Sequence, residues 1–474
     1  MAGSINLSPG VELTPSSVQQ ALQTNYISDF DYLNQYLPET DKNEFEGYGN
    51  RTITGFLRNV GTAEIPFASD LIKWAEQGRL HTKYTTVTPV SPTAGDDTVT
   101  FDIGTGVCNF RAGQVVFLSN NAGTTSYKAI ISAAPVSPNL DQFTAKFYNG
   151  SGIAAGDTAA VFTAFVYGSE FAKGTNGMVG SLTPEPKIFD VKPVIIKDRY
   201  EISGSDMSQI GWIEATAENG ASGFLWYIKA EAETRLRFDD QLEMMSVEHI
   251  EAEAGSGALA ALTTGYNIAS TTPTAGSQGL FAAIEERGNV WAGGNPTTLG
   301  DFDTIVERLD GQGSIAENTL FVNRAFSLDV DDMLGAQSTA TGTSYGMFDN
   351  DKDMALNLGF TGFRRGSYDF YKSDWKYLND ATLRGGLVGG SVNGVLVPAG
   401  TTTVYDQVLG QNATRPFLHV RYRMANKENR KLKTWVTGSA GGASNNSFDA
   451  MFIDYLSERA LCTLGAQNFF MFNA

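Results

Sequence analysis

The densest run of metal-ligating side chains in this 474-residue chain is Asp349-Asn350-Asp351-Lys352-Asp353. Alternating carboxylates at Asp349, Asp351 and Asp353 could converge on Ca²⁺, a cation that takes many oxygen ligands. The run departs from the EF-hand pattern, because Met354 stands where the sharp turn needs Gly and Phe360 where the bidentate Glu belongs. A solvated acidic loop is therefore the reading adopted, with Ca²⁺ as the alternative, and no cofactor is expected. His81, His249 and His419 lie far apart, and Cys108 and Cys462 are isolated, so neither type has the spacing of a zinc site. There is no G-x-S-x-G and no Walker-type loop, and Gly104-Thr105-Gly106 reads as a turn. No residue is assigned a catalytic role. The basic run Lys427 to Lys433 (KENRKLK) reads as a solvated hairpin tip or a subunit contact. Phe469, Phe470 and Phe472 read as core or subunit interface, because no Lys/Arg stripe accompanies them.

Composition narrows the classes further. With 34 Lys and Arg against 52 Asp and Glu the net charge is −18, the wrong sign for gripping nucleic acid through its phosphates. Two cysteines are too few for a disulfide framework and point to a reducing compartment. No apolar run is long enough to span a bilayer, and MAGSINLSPG lacks the basic start and apolar stretch of a signal peptide. A soluble protein made in a cytosol, with no membrane partner, is expected.

The elements that would position side chains are easier to read than the sites. Ala221 to His249 holds no Pro and one Gly, Gly223. Leu225, Ile228, Ala232, Leu236, Leu242 and Met245 recur at steps of three and four or their sum, which predicts a single helix about 43 Å long. The acid-first pairs Glu231–Arg235 and Glu233–Arg237 fall on its other faces. Residues 1–60 read as an arm with a helical possibility at Ser28 to Leu37. Pro66 to Leu80, within 61–84, reads as a short amphipathic helix presenting Leu71, Trp74 and Ala75. Alternating β-branched runs from 85 to 167 predict a small barrel or sandwich. In 168–205 the runs IFDV and VIIKDRYEI predict a projecting two-stranded loop with Pro184, Pro186 and Pro193 at its edges. Residues 280–335 alternate helix, strand and helix. FLHVRYRM and LKTWVTG predict a hairpin about Asn426–Asn429, and two more apolar segments close the chain.

This order of textures resembles the major capsid proteins of tailed bacteriophages with the HK97-like fold. The residues that carry the likeness are KIFDVKPVIIKDRYEISGSDMSQIGW running into GFLWYIKAEAETRLRFDDQLEMM, with FDTIVERLDGQGSIAENTLFVN and the closing DYLSERALCTLGAQNFF. The resemblance covers most of residues 165–474 and rests on architecture more than on short signatures. It implies an α+β chain. Its parts are an N-terminal arm (1–60), a helical segment (61–84), an inserted β module (85–167) and an E-loop (168–205). A peripheral domain (206–274) with a spine helix at 221–249, an axial α/β domain (275–400) and returning peripheral strands (401–474) complete it. Length and the added domain look like capsid proteins of crAss-like phages. The resemblance implies a shell of hexamers and pentamers around double-stranded DNA, held in loose non-specific proximity. Portal and decoration proteins would be further partners, with the chain in the virion and, during assembly, in the host bacterial cytoplasm.

The residues agree with that expectation on their own terms. Subunits that tile need arms and loops that lie across neighbours. Ile188, Phe189, Val194, Ile195, Ile196 and Tyr200 in the projecting loop are the expected subunit contacts, since apolar tips make sense when a neighbour covers them. Leu225, Ile228, Leu236 and Leu242 are expected to pack against strands from 415–470. The alternatives are another phage structural protein of the tail or an adhesin, an encapsulin-like compartment, and a soluble enzyme. Repeated β modules would favour the tail or adhesin reading, and a converging set of titratable residues the enzyme.

Overall fold

The computed structural model describes residues 6–8, 11–12, 53–60, 63–104, 106–183, 185–208, 215–216, 222–223, 226–253, 256–258, 276–339, 361–387, 389–399, 401–406, 411–425, 428–442 and 444–473. The helical possibility at Ser28–Leu37 and the acidic run Asp349–Asp353 lie outside the described residues. Two compact units divide the chain. The smaller comprises Met1–Thr52, Asp198–Asp239 and Thr434–Tyr455, and the larger Ile53–Lys197, Asp240–Lys433 and Leu456–Ala474.

The larger unit begins with two strands, β1 (Ala63–Phe67) and β2 (Ile72–Glu76), where a short helix was expected. Burial along β2 alternates from Ile72 to Trp74, a period of two that the spacing of Leu71, Trp74 and Ala75 disguises as helical. Partner strands settle such short ambiguous runs. Six strands follow: β3 (Lys83–Pro89), β4 (Thr98–Asp102), β5 (Gln114–Asn120), β6 (Ser126–Ala133), β7 (Gln142–Phe147) and β8 (Phe162–Ser169). They close into a barrel in the order β8-β3-β4-β7-β6-β5, with β8 also pairing β5 so that no edge is left open. Every second residue points inward, and large alternates with small: Tyr127 with Ala129, Phe143 with Ala145, Phe162 with Ala164. The rings of Phe101 and Phe143 stack at 5.6 Å, and Phe110 meets Phe143 edge-on at 5.1 Å.

One end of the barrel is organised by buried Asp157, whose carboxylate accepts from Asn120 Nδ2 (2.7 Å), Thr125 Oγ1 (2.6 Å) and the Tyr127 hydroxyl (2.6 Å). Burial alone would raise this carboxyl, but the three donors outweigh it and hold it below the ordinary carboxylate range. A depressed acid contributes stability above its unfolded value, about 3.9, and loses it as pH falls through the lower folded value. Asp157→Asn is expected to cost about 2 kcal/mol at pH 7. Melting curves at pH 7 and pH 3 should show the difference from the parent shrinking at the acid end. An equal deficit at both would contradict this account.

Strand β9 (Lys187–Val191) pairs antiparallel with β2, Lys187 opposite Glu76 and Val191 opposite Ile72. The barrel is thus inserted between the two strands of a ribbon. This corrects the expected pairing of IFDV with VIIKDRYEI. The latter run forms β10 (Val194–Ser203), which pairs with a C-terminal strand instead. Only Lys192 and Pro193 separate β9 from β10, and Pro193 offers no ladder donor at the crossing point. Ile72 and Val191 bury the root of the ribbon with Phe67, Ala460 and Cys462.

The long helix, α1 (Trp226–Glu248), is about 35 Å long and starts later than expected, because Ser222–Gly223 pairs with Ala215–Thr216. Leu225 lies outside the described residues, Ile228 is exposed and Leu236 half-buried. The buried ridge runs instead at steps of four through Thr234, Phe238, Leu242 and Ser246. Its two hydroxyls bond back to the carbonyls of Ala230 and Leu242, both at 2.8 Å. The ion pairs observed along it are Lys229–Glu233 (3.8 Å) and Arg235–Asp239 (3.5 Å), in place of the two acid-first pairs expected.

Downstream come α2 (Leu280–Arg287), β11 (Asn289–Trp291), α3 (Leu299–Gln312), β12 (Glu317–Val322) and α4 (Arg324–Thr339). They are followed by β13 (Gly362–Arg365), β14 (Tyr368–Asp374) and β15 (Val392–Pro398). A ribbon of Thr401–Asp406 with Gln411–Pro416 leads to β16 (Leu418–Ala425), β17 (Glu428–Asn429), β18 (Lys433–Gly438), β19 (Ala450–Thr463) and β20 (Phe470–Asn473). A mixed sheet of the larger unit takes the order β11-β20-β15-β12-β14-β13. Its strands sort by parity. Leu320, Val322, Leu396, Phe470 and Phe472 face α3 and α4. Phe321, Val395, Val397 and Met471 face α2 and the Met244–Val247 end of α1. Burial on both faces explains the unbroken apolar run at the C-terminus. Phe470–Asn473 therefore belongs to the α/β sheet, which corrects its expected place among peripheral strands. On the α2 side Val247 belongs to the same buried core as Leu418, Val420 and Leu461, so this end of α1 shares a core with strands from 415–470.

In the smaller unit, Arg199 on β10 pairs with Asp454 on β19 at 2.7 Å and lies over the Phe452 ring, while Phe238 packs on Tyr455. The expected hairpin of FLHVRYRM with LKTWVTG is also corrected. β16 turns back on the two-residue β17, and both β16 and β18 take β19 as partner.

Candidate functional site

Among the described residues, most groups that could have done chemistry are committed to the fold. Among the described residues no cluster of His, Cys, Asp and Glu could hold a metal ion. Cys108 and Cys462 are free and buried, and burial pushes both thiols up, Cys462 to about 12, so neither is a thiolate nucleophile. His81 is exposed, His419 buried in β16, and burial lowers the pKa of His249 beyond the end of α1. The described cations of the basic run are answered internally. Arg430 and Arg423 both reach buried Glu458, at 2.5 and 3.2 Å, Lys431 pairs with Glu64, and Lys433 with Glu428 at 2.5 Å. Glu428 and Asn429 are exposed on the hairpin with β16, and Lys431 and Lys433 are part-exposed, so the described cations sit in paired positions on a solvent-facing hairpin. Phe469, Phe470 and Phe472 are core.

The two most exposed large apolar residues among the described ones lie on the connections between the β2/β9 ribbon and the barrel. Of the expected contact residues, Ile188 is 64% exposed and Ile195 51%, whereas Phe189, Val194 and Tyr200 are half-buried. Ile196 is buried within the chain, so it is withdrawn as a contact: β10 turns it inward at the next position after Ile195. Sequence reasoning missed Leu80, at 81% exposed, and Val179, at 84%, with Leu182 and Phe171 also open. These sit in non-periodic connecting segments, 77–82 and 170–186, and apolar residues inside a Gly-rich stretch without periodicity were the available signal.

Beyond its root the same ribbon is clamped along its length, from Trp74 and Phe189 to Glu76 at its barrel-side end. The Arg287 guanidinium lies between the Phe189 ring (4.4 Å) and the Trp74 ring (5.6 Å). Glu76 accepts from Trp74 Nε1 (2.8 Å) and the Gly465 N–H (3.0 Å), and lies 3.6 Å from Arg287. Burial pulls the Arg287 pKa down and the nearby Glu76 and Glu286 oppose it. The ribbon is therefore fixed along its length, while the connections that leave it toward the barrel carry exposed apolar residues.

No family model matches the chain, and no curated protein matches it. Solved structures do. A chain from Microbacterium phage Oxtober96 is 8% identical with a TM-score of 0.38, covering 94% of this chain and 99% of that one. A chain from the capsid of an empty GTA particle is 9% identical with a TM-score of 0.38, covering 96% and 99%. One from Mycobacterium phage Ogopogo is 13% identical with a TM-score of 0.34, covering 65% and 83%. Among the described residues, no helix is long and apolar enough to cross a membrane.

Proposed function

We propose that the chain is a major capsid protein that assembles into hexamers and pentamers of an icosahedral shell around phage double-stranded DNA. The observation that carries this reading is the ribbon, held to its own chain from Ile72 and Val191 to Glu76, with exposed Leu80, Val179, Leu182 and Ile188 on it and its connections. Scattered exposed apolar residues are ordinary, but the two most exposed large ones among the described residues, Val179 at 84% and Leu80 at 81%, both lie on connections of this ribbon, which suits a surface for a partner. A second copy is the occupant that a tiling subunit supplies.

On this reading the β2/β9 ribbon takes the E-loop's part, the barrel is an insertion within it, α1 is the spine, and the six-stranded sheet with its helices is the axial domain. The net charge of −18 keeps the shell from adhering to the DNA it encloses. Portal and decoration proteins are the further partners, and the virion is the location.

Electron microscopy of the purified protein tests the reading: closed shells or hexameric capsomers are expected, and a stable compact monomer at high concentration would overturn it. The triple substitution Val179→Ser, Leu182→Ser and Ile188→Ser should raise the concentration needed for assembly by about tenfold or more while leaving the melting temperature unchanged. Unimpaired assembly would remove the ribbon and its connections from the interface.

A further inference from the structure

We propose that the outer wall of the barrel carries a binding site for a neutral oligosaccharide. An open hollow of about 570 Å³ lies there, a size suited to a small-molecule ligand. Val115 of β5, Tyr148 and Tyr167 line it, and Lys128 of β6 and Glu170, just past β8, supply its charges. Both tyrosines are 51% exposed, although tyrosines of this size normally bury more of their ring. The barrel core does not use them: its inward positions are filled by Phe101, Phe143, Phe162 and their neighbours.

The polar groups are already held in place. The Tyr148 hydroxyl donates to Glu170 Oε2 at 2.5 Å, which leaves Oε1 to accept from a ligand. The Tyr148 amide donates to the Lys128 carbonyl at 3.0 Å, and the Glu170 amide to the Gly113 carbonyl at 3.0 Å, so both ends of that bond are tied to barrel strands. No ion pair engages the Lys128 ammonium among the described residues. One carboxylate and one ammonium cancel, so the site offers no net attraction to an anion or a cation. What it does offer is an acceptor and a donor flanked by amphipathic aromatic side chains. A sugar matches that set, with C–H faces for the rings and hydroxyls for Glu170 and Lys128. The inference goes beyond the shell reading and does not depend on it.

The full chain is titrated separately with chitotetraose, cellotetraose, maltotetraose and mannotetraose, following saturation transfer to the sugar protons. At least one should bind with a Kd of about 0.1–1 mM, and Tyr148→Ala and Tyr167→Ala should each weaken it about tenfold. Tyr167→Phe, which keeps the ring, should retain binding. Melting temperature and assembly should match the parent, because both side chains are half exposed. Absence of transfer from all four sugars, or transfer unchanged in the double alanine variant, would overturn the proposal. So would binding of a synthetic peptide of residues 171–183 in place of any sugar, which would assign the hollow to a protein partner.

Discussion

Glu458→Ala is expected to cost about 3 kcal/mol and to loosen β16 and β17 from β19 before the rest of the chain opens. The Glu458 carboxylate is buried and receives Arg430 Nε at 2.5 Å and Arg423 Nη1 at 3.2 Å, while its own amide donates to the Arg430 carbonyl at 2.9 Å. Removing one partner from a buried ion pair leaves charge behind without compensation. Here the effect stays at the lower end of that range, because both guanidinium groups keep some access to water and Arg423 also holds Asp70. A chain of two units need not unfold in one step, so the readout is hydrogen exchange at the amides of 458–463 and 418–423. Loss of protection confined to those strands is the expected pattern. Pairing Glu458→Gln with Arg430→Met in a double-mutant cycle should show coupling of about 1 kcal/mol or more. Additive effects would mean that the two groups merely lie close together.

That network also shows how far the sequence could be read. KENRKLK was recognisable as a basic run, but the acids that answer it, Glu64 and Glu458, lie hundreds and tens of residues away, and no local pattern announces them. The barrel strands were legible because period-two alternation is local: TVTFD and QFTAKF each show which residues face inward. Strand pairing was not legible. IFDV and VIIKDRYEI read as a hairpin because they are neighbours in sequence, yet each pairs with a strand over a hundred residues away, β2 and β19. The long helix was found, but its buried face only in part: Leu242 lies on it, whereas Ile228 is exposed. Two of the four residues on the real ridge are Thr234 and Ser246, which a hydrophobicity count passes over, and their hydroxyls are silenced by bonds to the helix's own backbone. The apolar residues on the ribbon's connections went unnoticed for other reasons. Leu80 reads as the end of a short helix, and Val179 sits in a Gly-rich segment whose lack of periodicity was the available signal.

The largest effect is expected where α1 holds the start of the larger unit. Asp240 Oδ1 accepts from the amides of Ile53 (3.0 Å) and Thr54 (3.1 Å), and Glu243 accepts from those of Gly55 (2.9 Å) and Phe56 (3.0 Å). Two carboxylates one helical turn apart thus receive four successive N–H groups, including the first of the helical turn Phe56–Asn59. The anchor is completed by Phe56, stacked on Trp375 at 4.1 Å and edge-on to Phe321 at 4.8 Å. Asp240→Ala with Glu243→Ala should cost about 4 kcal/mol, less than the sum of the single changes, because both act on one segment. Limited proteolysis should then cut within 53–60 well before the sheet is attacked. Burial raises the Glu243 carboxyl, and neighbouring Asp240 adds to that, against the lowering effect of the Gly55 and Phe56 amides. An acid with a raised folded value contributes most below its unfolded pKa, about 4.3, and loses that contribution as pH rises through the folded value. Protection of 53–60 should therefore fall with rising pH in the parent, and the step should move to lower pH in Asp240→Asn, where the repelling charge is gone. A step that stays in place would mean that Glu243 does not titrate within the anchor.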